Sequence, residues 1–195
     1  DEYEFLDISN NVTIILDGPE ANLVIEGELV LQNNAKLTIQ SGTNGLGYIT
    51  FRKHIDPNNG NKTFAKITGG VNSSIEIIGV NKFQKVLQVD GNFGVIIPES
   101  IASFSVSNGT IEMGKMSRMH VASALSIRDC QFNTKNNTGD YRYFAGIMTA
   151  GQPNVEIKDC VFKNGKYGVL AINFYWPRSK PQIDGCYFEG MITGI

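Results

Sequence analysis

Apolar residues recur along this chain in short alternating runs, broken every few positions by Asn, Asp or Gly. The clearest runs are residues 125–132 (LSIRDCQF), 155–162 (VEIKDCVF) and 181–188 (PQIDGCYF), in which Ile, Cys and Phe return at the same relative places. A fourth run, 104–111 (FSVSNGTI), puts Val106 in the Ile column, Gly109 in the Cys column and Ile111 in the Phe column. The anchors Val106, Ile127, Ile157 and Ile183 are thus 21, 30 and 26 residues apart. Each unit alternates apolar and polar positions, breaks, resumes and then meets a polar or Gly-containing turn, which predicts two short strands joined by a bend. Residues 146–150 (GIMTA), 168–172 (GVLAI) and the closing 194–195 (GI) supply a third strand. Three short strands per repeat, with no helical pattern between them, predict a coil whose turns stack into continuous parallel sheets.

The first half carries the same pattern in a more degenerate form. Strands are predicted at 12–16, 23–25, 29–31, 37–39, 48–51, 75–78 and 94–97, separated by NN, SGTNG, DPNNGN and GG turns, with a loop over 53–63. No charged or Pro/Ser-rich linker interrupts the chain, so residues 1–195 are expected to form a single domain, degenerate over 1–103 and regular over 104–195. At about 24 residues per turn this gives roughly eight rungs of three strands, and at about 4.8 Å per parallel strand a coil about 38 Å long. Residues 191–195 stop where a new third strand begins. The C-terminal end is therefore expected to be capped by further rungs of a longer chain, by another chain or by a subunit.

Composition narrows the functional classes. A formal net charge of -2 gives no electrostatic reason to expect nucleic acid or an anionic membrane. No apolar run approaches the roughly 18 residues that membrane insertion requires. Three cysteines cannot all pair, and none has the CxxC spacing of a redox or zinc site. Cys130, Cys160 and Cys186 share one column, which predicts an inward thiol ladder beside one of Phe132, Phe162 and Phe188. An in-line disulfide between neighbouring rungs is the alternative. Asp129 and Asp159 precede the cysteines where the third unit has Gly185. That substitution marks them as bend residues in left-handed backbone rather than calcium ligands or paired acids. His54 and His120 are the only histidines, 66 positions apart and without a nucleophile or ligand motif beside them. No cofactor or metal site is expected.

The stretch 154–172 (NVEIKDCVFKNGKYGVLAI) resembles the repeat of right-handed parallel β-helix proteins, the pectate-lyase-like superfamily. The resemblance covers 104–195 closely and the remainder loosely. It implies an all-β right-handed parallel β-helix, a single-chain solenoid, and a secreted or cell-surface setting of bacterial or phage type. That fold hosts lyases, glycoside hydrolases, adhesins and phage tailspikes. Of the polygalacturonase-like motifs (clustered Asp, Gly-His-Gly, Arg-x-Lys), only Arg178-Ser-Lys180 has a match here. The strands where pectate lyases place calcium ligands and a catalytic Arg correspond to 146–150 and 168–172, which hold no carboxylate. The resemblance therefore leads to a non-catalytic scaffold, adhesin or carbohydrate-binding segment. The alternative is a polysaccharide lyase or glycoside hydrolase using Arg142, Arg178, Lys180 and a Tyr.

Two insertions carry the candidate binding residues, 133–144 (NTKNNTGDYRYF) before one third strand and 173–181 (NFYWPRSKP) after the next. They are expected to rise on opposite sides of one face and to bring Tyr141, Arg142, Tyr143, Tyr175, Trp176, Arg178 and Lys180 to a polysaccharide or other glycan partner, with Phe174 among them. The competing reading is that Phe174, Tyr175 and Trp176 only cover the flank of the coil. Loops on a rigid scaffold are where binding residues concentrate.

Overall fold

The structure is a computed structural model, and it describes residues 2–18, 21–44, 47–52, 54–55, 60, 62–63, 65–90, 94–114, 117–134, 146–150, 154–165, 167–172, 181–191 and 194. Among these residues every regular element is a strand. The chain opens with β1 (Glu2–Ile8), β2 (Val12–Leu16) and the long β3 (Asn22–Leu31). Next come β4 (Lys36–Ser41), β5 (Tyr48–Phe51), the short β6 (His54–Ile55) and β7 (Lys62–Thr63), and β8 (Ala65–Gly69). From there the strands follow in threes: β9 (Ser74–Ile78), β10 (Lys85–Val89) and β11 (Val95–Ile97), then β12 (Ser103–Ser107), β13 (Thr110–Met113) and β14 (Met119–Val121). Two more sets are β15 (Ala124–Arg128), β16 (Gln131–Thr134), β17 (Ile147–Ala150) and β18 (Val155–Lys158), β19 (Val161–Lys163), β20 (Val169–Ile172). β21 (Gln182–Asp184) and β22 (Tyr187–Glu189) complete the series.

From β9 onward each strand pairs in parallel with the strand three places further along the chain. β2, β4, β9, β12, β15, β18 and β21 form a seven-stranded sheet. The other large sheet has 13 strands and turns back on itself at β3. Asn22–Ile25 of that strand pairs with β5 on one side, and Glu28–Leu31 pairs with β8 on the other. The result is an all-β, solenoid-like stack of parallel sheets around one apolar interior.

Alternation along the strands builds that interior. Ile14, Ile39, Ile77, Val106, Ile127, Ile157 and Ile183 are in register across the seven-stranded sheet, and the repeat anchors read from the sequence are the last four of them. On the neighbouring face Ile111, Phe132, Phe162 and Phe188 are in register. Fully burying each such side chain contributes about 1.5–3 kcal/mol. The bend between these faces is set by backbone geometry, because Asn108, Asp129 and Asp159 hold φ of 54°, 52° and 54° and Gly185 holds 60°. That is the left-handed region which Asn, Asp and Gly enter at least cost. Backbone hydrogen bonds tie successive bends together, Asp129 N–H donating to Lys158 O at 3.1 Å and Asp159 N–H to Asp184 O at 2.9 Å.

The thiol ladder lies inside, with Cys130 and Cys160 fully buried and all three cysteines free. Each Sγ donates to backbone carbonyls: Cys130 to Arg128 O at 3.2 Å, Cys160 to Lys158 O at 3.1 Å and Cys186 to Asp184 O at 3.3 Å. Gly109 takes the Cys place in the earlier turn because Val86 fills the space, and a Cβ there would come within 2.2 Å of a Val86 methyl.

Several elements differ from the sequence expectation. The runs 23–25 and 29–31 are one strand, β3, serving two faces. The expected loop over 53–63 contains a small antiparallel ladder in which His54 pairs with Thr63 and Ile55 with Lys62, satisfying backbone groups where the chain leaves the stack. Residues 133–134, expected to open an insertion, belong to β16. β1, β8, β10 and β14 were not anticipated, since their runs are short or rich in polar residues.

Candidate functional site

The alternation that sends Phe104, Val106, Leu125, Ile127, Val155 and Ile157 inward leaves Ser103, Ser105, Ala124, Ser126 and Glu156 on the outer face of the seven-stranded sheet. Ser103 pairs with Ala124, and Ser105 with Ser126. Ser126 pairs with Glu156, and Glu156 with Gln182. Small side chains on two adjacent strands, with longer ones beyond, leave a shallow groove of about 410 Å³. Its walls are completed by Asn154, Glu156 and Gln182. It runs across β12, β15, β18 and β21, along the stacking direction. The strands supply rigidity, since their inner sides are locked in the core.

Glu156, the charged side chain among the described lining residues, is paired. Arg128 Nη2 lies 2.5 Å from Glu156 Oε2. Further along the same sheet Lys36 Nζ lies 2.6 Å from Glu76 Oε2. The remaining lining groups, the Ser hydroxyls and the Asn154 and Gln182 amides, both donate and accept hydrogen bonds.

The 13-stranded sheet carries two other concentrations of polar chemistry. On its β5–β10–β13 side the Lys85 ammonium sits 3.5 Å from the centroid of the Tyr48 ring, 3.0 Å from Gln88 Oε1 and 3.5 Å from Glu112 Oε2. These contacts lock the cation among its neighbours. On the β11–β14–β17 side the outward column runs Ile96, His120, Met148. Burial, then the nearby Arg118 charge, holds the His120 imidazole below its ordinary pKa. Met148 is only 8% exposed. Among the described residues no three His, Cys, Asp or Glu side chains gather as a metal site would require.

The residues expected to bind ligand, Tyr141, Arg142, Tyr143, Tyr175, Trp176, Arg178 and Lys180, lie outside the described residues, as does Phe174. The strands they adjoin, β17 and β20, pair in register from Ile147 with Val169 to Ala150 with Ile172. The groove was missed in the sequence. Its signal was present: Ser105 and Ser126 each precede a repeat anchor, so a small polar residue recurs at one outward position of successive turns. No protein-family model, curated protein or solved structure matches the chain.

Proposed function

We propose that this chain is a segment of right-handed parallel β-helix acting as a non-catalytic, glycan-binding scaffold of an exported surface protein. The groove over β12, β15, β18 and β21 is its binding face. The observation that carries the reading is a rigid floor that offers hydrogen-bonding groups at each strand step of about 4.8 Å, close to the rise of one sugar in an extended chain. Several features support the helix assignment: the three-place strand pairing, the left-handed bend column and the repeat resemblance. Right-handed crossovers account for about 98% of parallel connections within a sheet.

Glycan contacts from Tyr141, Arg142, Tyr143, Tyr175, Trp176, Arg178 and Lys180, the aromatic and basic residues of the two insertions, are part of the same proposal. Two of the three free thiols, Cys130 and Cys160, are buried, and oxidants reach them only through opening of the fold, whereas Cys186 is partly exposed.

A glycan array probed with the full chain and with Ser126→Tyr tests the reading. Tyrosine suits an outward strand position and fills the floor, so binding by the parent and its loss in a folded variant are expected. An array blank for the parent overturns glycan binding. New reducing ends or unsaturated products on incubation with the bound polysaccharide overturn the non-catalytic part.

A further inference from the structure

We infer that Cys160 and Cys186 form a linear, two-coordinate site for a soft monovalent metal ion of the Cu(I) class. The site stands apart from the groove and does not rest on the glycan-binding reading. The three thiols repeat one geometry. Each Sγ lies 3.1–3.3 Å from the carbonyl two residues back and 3.6–3.7 Å from one in the preceding turn, Val106 O for Cys130, Ile127 O for Cys160 and Ile157 O for Cys186. On either side of the outer two, Lys158 pairs with Asp184 and Val161 with Tyr187, and Tyr187 N–H donates to Cys160 O at 2.9 Å. Equal orientation on paired strands sets neighbouring sulfurs one strand spacing apart, about 4.8 Å. A disulfide needs Cβ atoms about 3.5–4.5 Å apart and turned towards each other, which stacked side chains do not offer. Two collinear metal–sulfur bonds of about 2.3 Å span about 4.6 Å. The stack therefore suits a bridging ion better than a sulfur–sulfur bond. Zn(II) asks for four donors in a tetrahedron, and the described residues gather no group of three. Cu(I) is favoured by soft thiolates and needs only the two.

Access selects the outer pair. Cys186 is partly exposed and Cys130 is buried, so an ion entering at Cys186 meets Cys160 as its second ligand. Binding breaks two S–H bonds, forms two sulfur–metal bonds and releases two protons to water. The ion arrives already reduced, and no electron moves. The carbonyls that lose a thiol donor keep an amide one, because Asp129 N–H donates to Lys158 O at 3.1 Å and Asp159 N–H to Asp184 O at 2.9 Å. The two sulfurs and the ion together carry one negative charge. Backbone amides face it: that of Cys130 donates to the Cys160 sulfur and that of Cys160 to the Cys186 sulfur. Hydrogen bonds of this kind to ligand sulfurs orient and tune metal–thiolate sites.

Anaerobic titration of the full chain into Cu(I) held by bicinchoninate, a coloured competing chelator, tests this. The folded parent is expected to withdraw one equivalent, with X-ray absorption showing two sulfur neighbours, and to hold it more tightly as pH rises, since two protons leave. Affinity should fall at least about tenfold in Cys186→Ser and in Cys160→Ala and stay at the parent value in Cys130→Ala, which keeps the backbone amide. Circular dichroism checks each variant for folding, and Cys186→Ser, at a partly exposed position, decides the point should Cys160→Ala fail to fold. Zn(II) offered with a competing chelator should stay with the chelator. A folded parent that withdraws no Cu(I) overturns the site. Undiminished affinity in Cys186→Ser overturns the assignment to this pair, and a tenfold loss in Cys130→Ala, or a third sulfur in the absorption spectrum, overturns two-coordination.

Discussion

The Phe132 and Phe162 rings lie stacked, their centroids 4.5 Å apart and their planes 9° from parallel. Phe162 meets Phe188 on its other side at 5.0 Å and 10°. It is 1% exposed, whereas Phe188 is only partly buried. Phe162→Ala therefore removes two ring contacts and opens a cavity in the middle of the stack, with an expected loss of about 3–5 kcal/mol. Phe188→Ala should cost less than half as much. Urea unfolding at unchanged slope reads the difference, and equal losses would show that the last turn is buried as deeply as the middle.

Thr149 is in register with Val121 in the core and fully buried, yet its hydroxyl has no hydrogen-bond partner among the described residues. A buried hydroxyl left unsatisfied costs about 1–3 kcal/mol. Thr149→Val keeps the β-branched shape and removes the polar atom. It is expected to stabilise the fold by about 1 kcal/mol, a Tm rise of about 2–4 °C for a chain of this size. A lowered Tm would show that the hydroxyl is bonded in solution.

The regular half was legible in the sequence because one repeat position controls several properties at once. Ile127 and Ile157 face the core, Asp129 and Asp159 take the left-handed bend, and Phe132 and Phe162 stack, so a single alignment of runs discloses all three. Gly185 fits the column for a further reason: a Cβ there would come within 2.2 Å of the Asp159 carboxylate. The first half was harder to read because its repeats share no Cys or Phe marker. β8 and β10 alternate over only five residues each. The fusion of two runs into β3 depends on Glu26 and Gly27 staying extended, and apolar spacing does not encode that. The groove went unread because absence of bulk on an outer face is a property of neighbouring strands. Ser105 and Ser126 become a floor only once they are paired.

Buried thiols should be chemically silent. Burial raises the Cys186 pKa, and the hydrogen bond between Cys130 and Cys160 raises that of Cys160 while lowering that of Cys130, so the protection of the inner pair rests on burial. Thiolate is the reactive form. In the native protein an aromatic disulfide reagent is expected to modify Cys186, the partly exposed member, before Cys130 and Cys160. The latter two should react only at the rate of local opening and rapidly in denaturant. Equal fast labelling of all three would contradict the closed ladder.

Acid stability should depend on Glu28. The Thr68 hydroxyl donates to Glu28 Oε1 at 2.6 Å and the Lys66 ammonium lies 2.9 Å away. First the Thr68 hydrogen bond, then the hydrogen bond and charge of Lys66, outweigh desolvation and hold the carboxyl below the usual range. A carboxyl with a folded pKa below its unfolded value of about 4.3 stabilises the fold fully above that pH. The contribution fades as pH falls through the lowered folded value, because the unfolded chain takes up the proton first. Thr68→Val removes the largest of these influences and brings the two values closer. The variant should therefore be less stable than the parent at pH 7, and the gap should narrow as pH drops from about 4.3 towards 3. Urea midpoints across that range decide the point: a gap independent of pH would mean that Thr68 stabilises the fold without acting through the Glu28 charge.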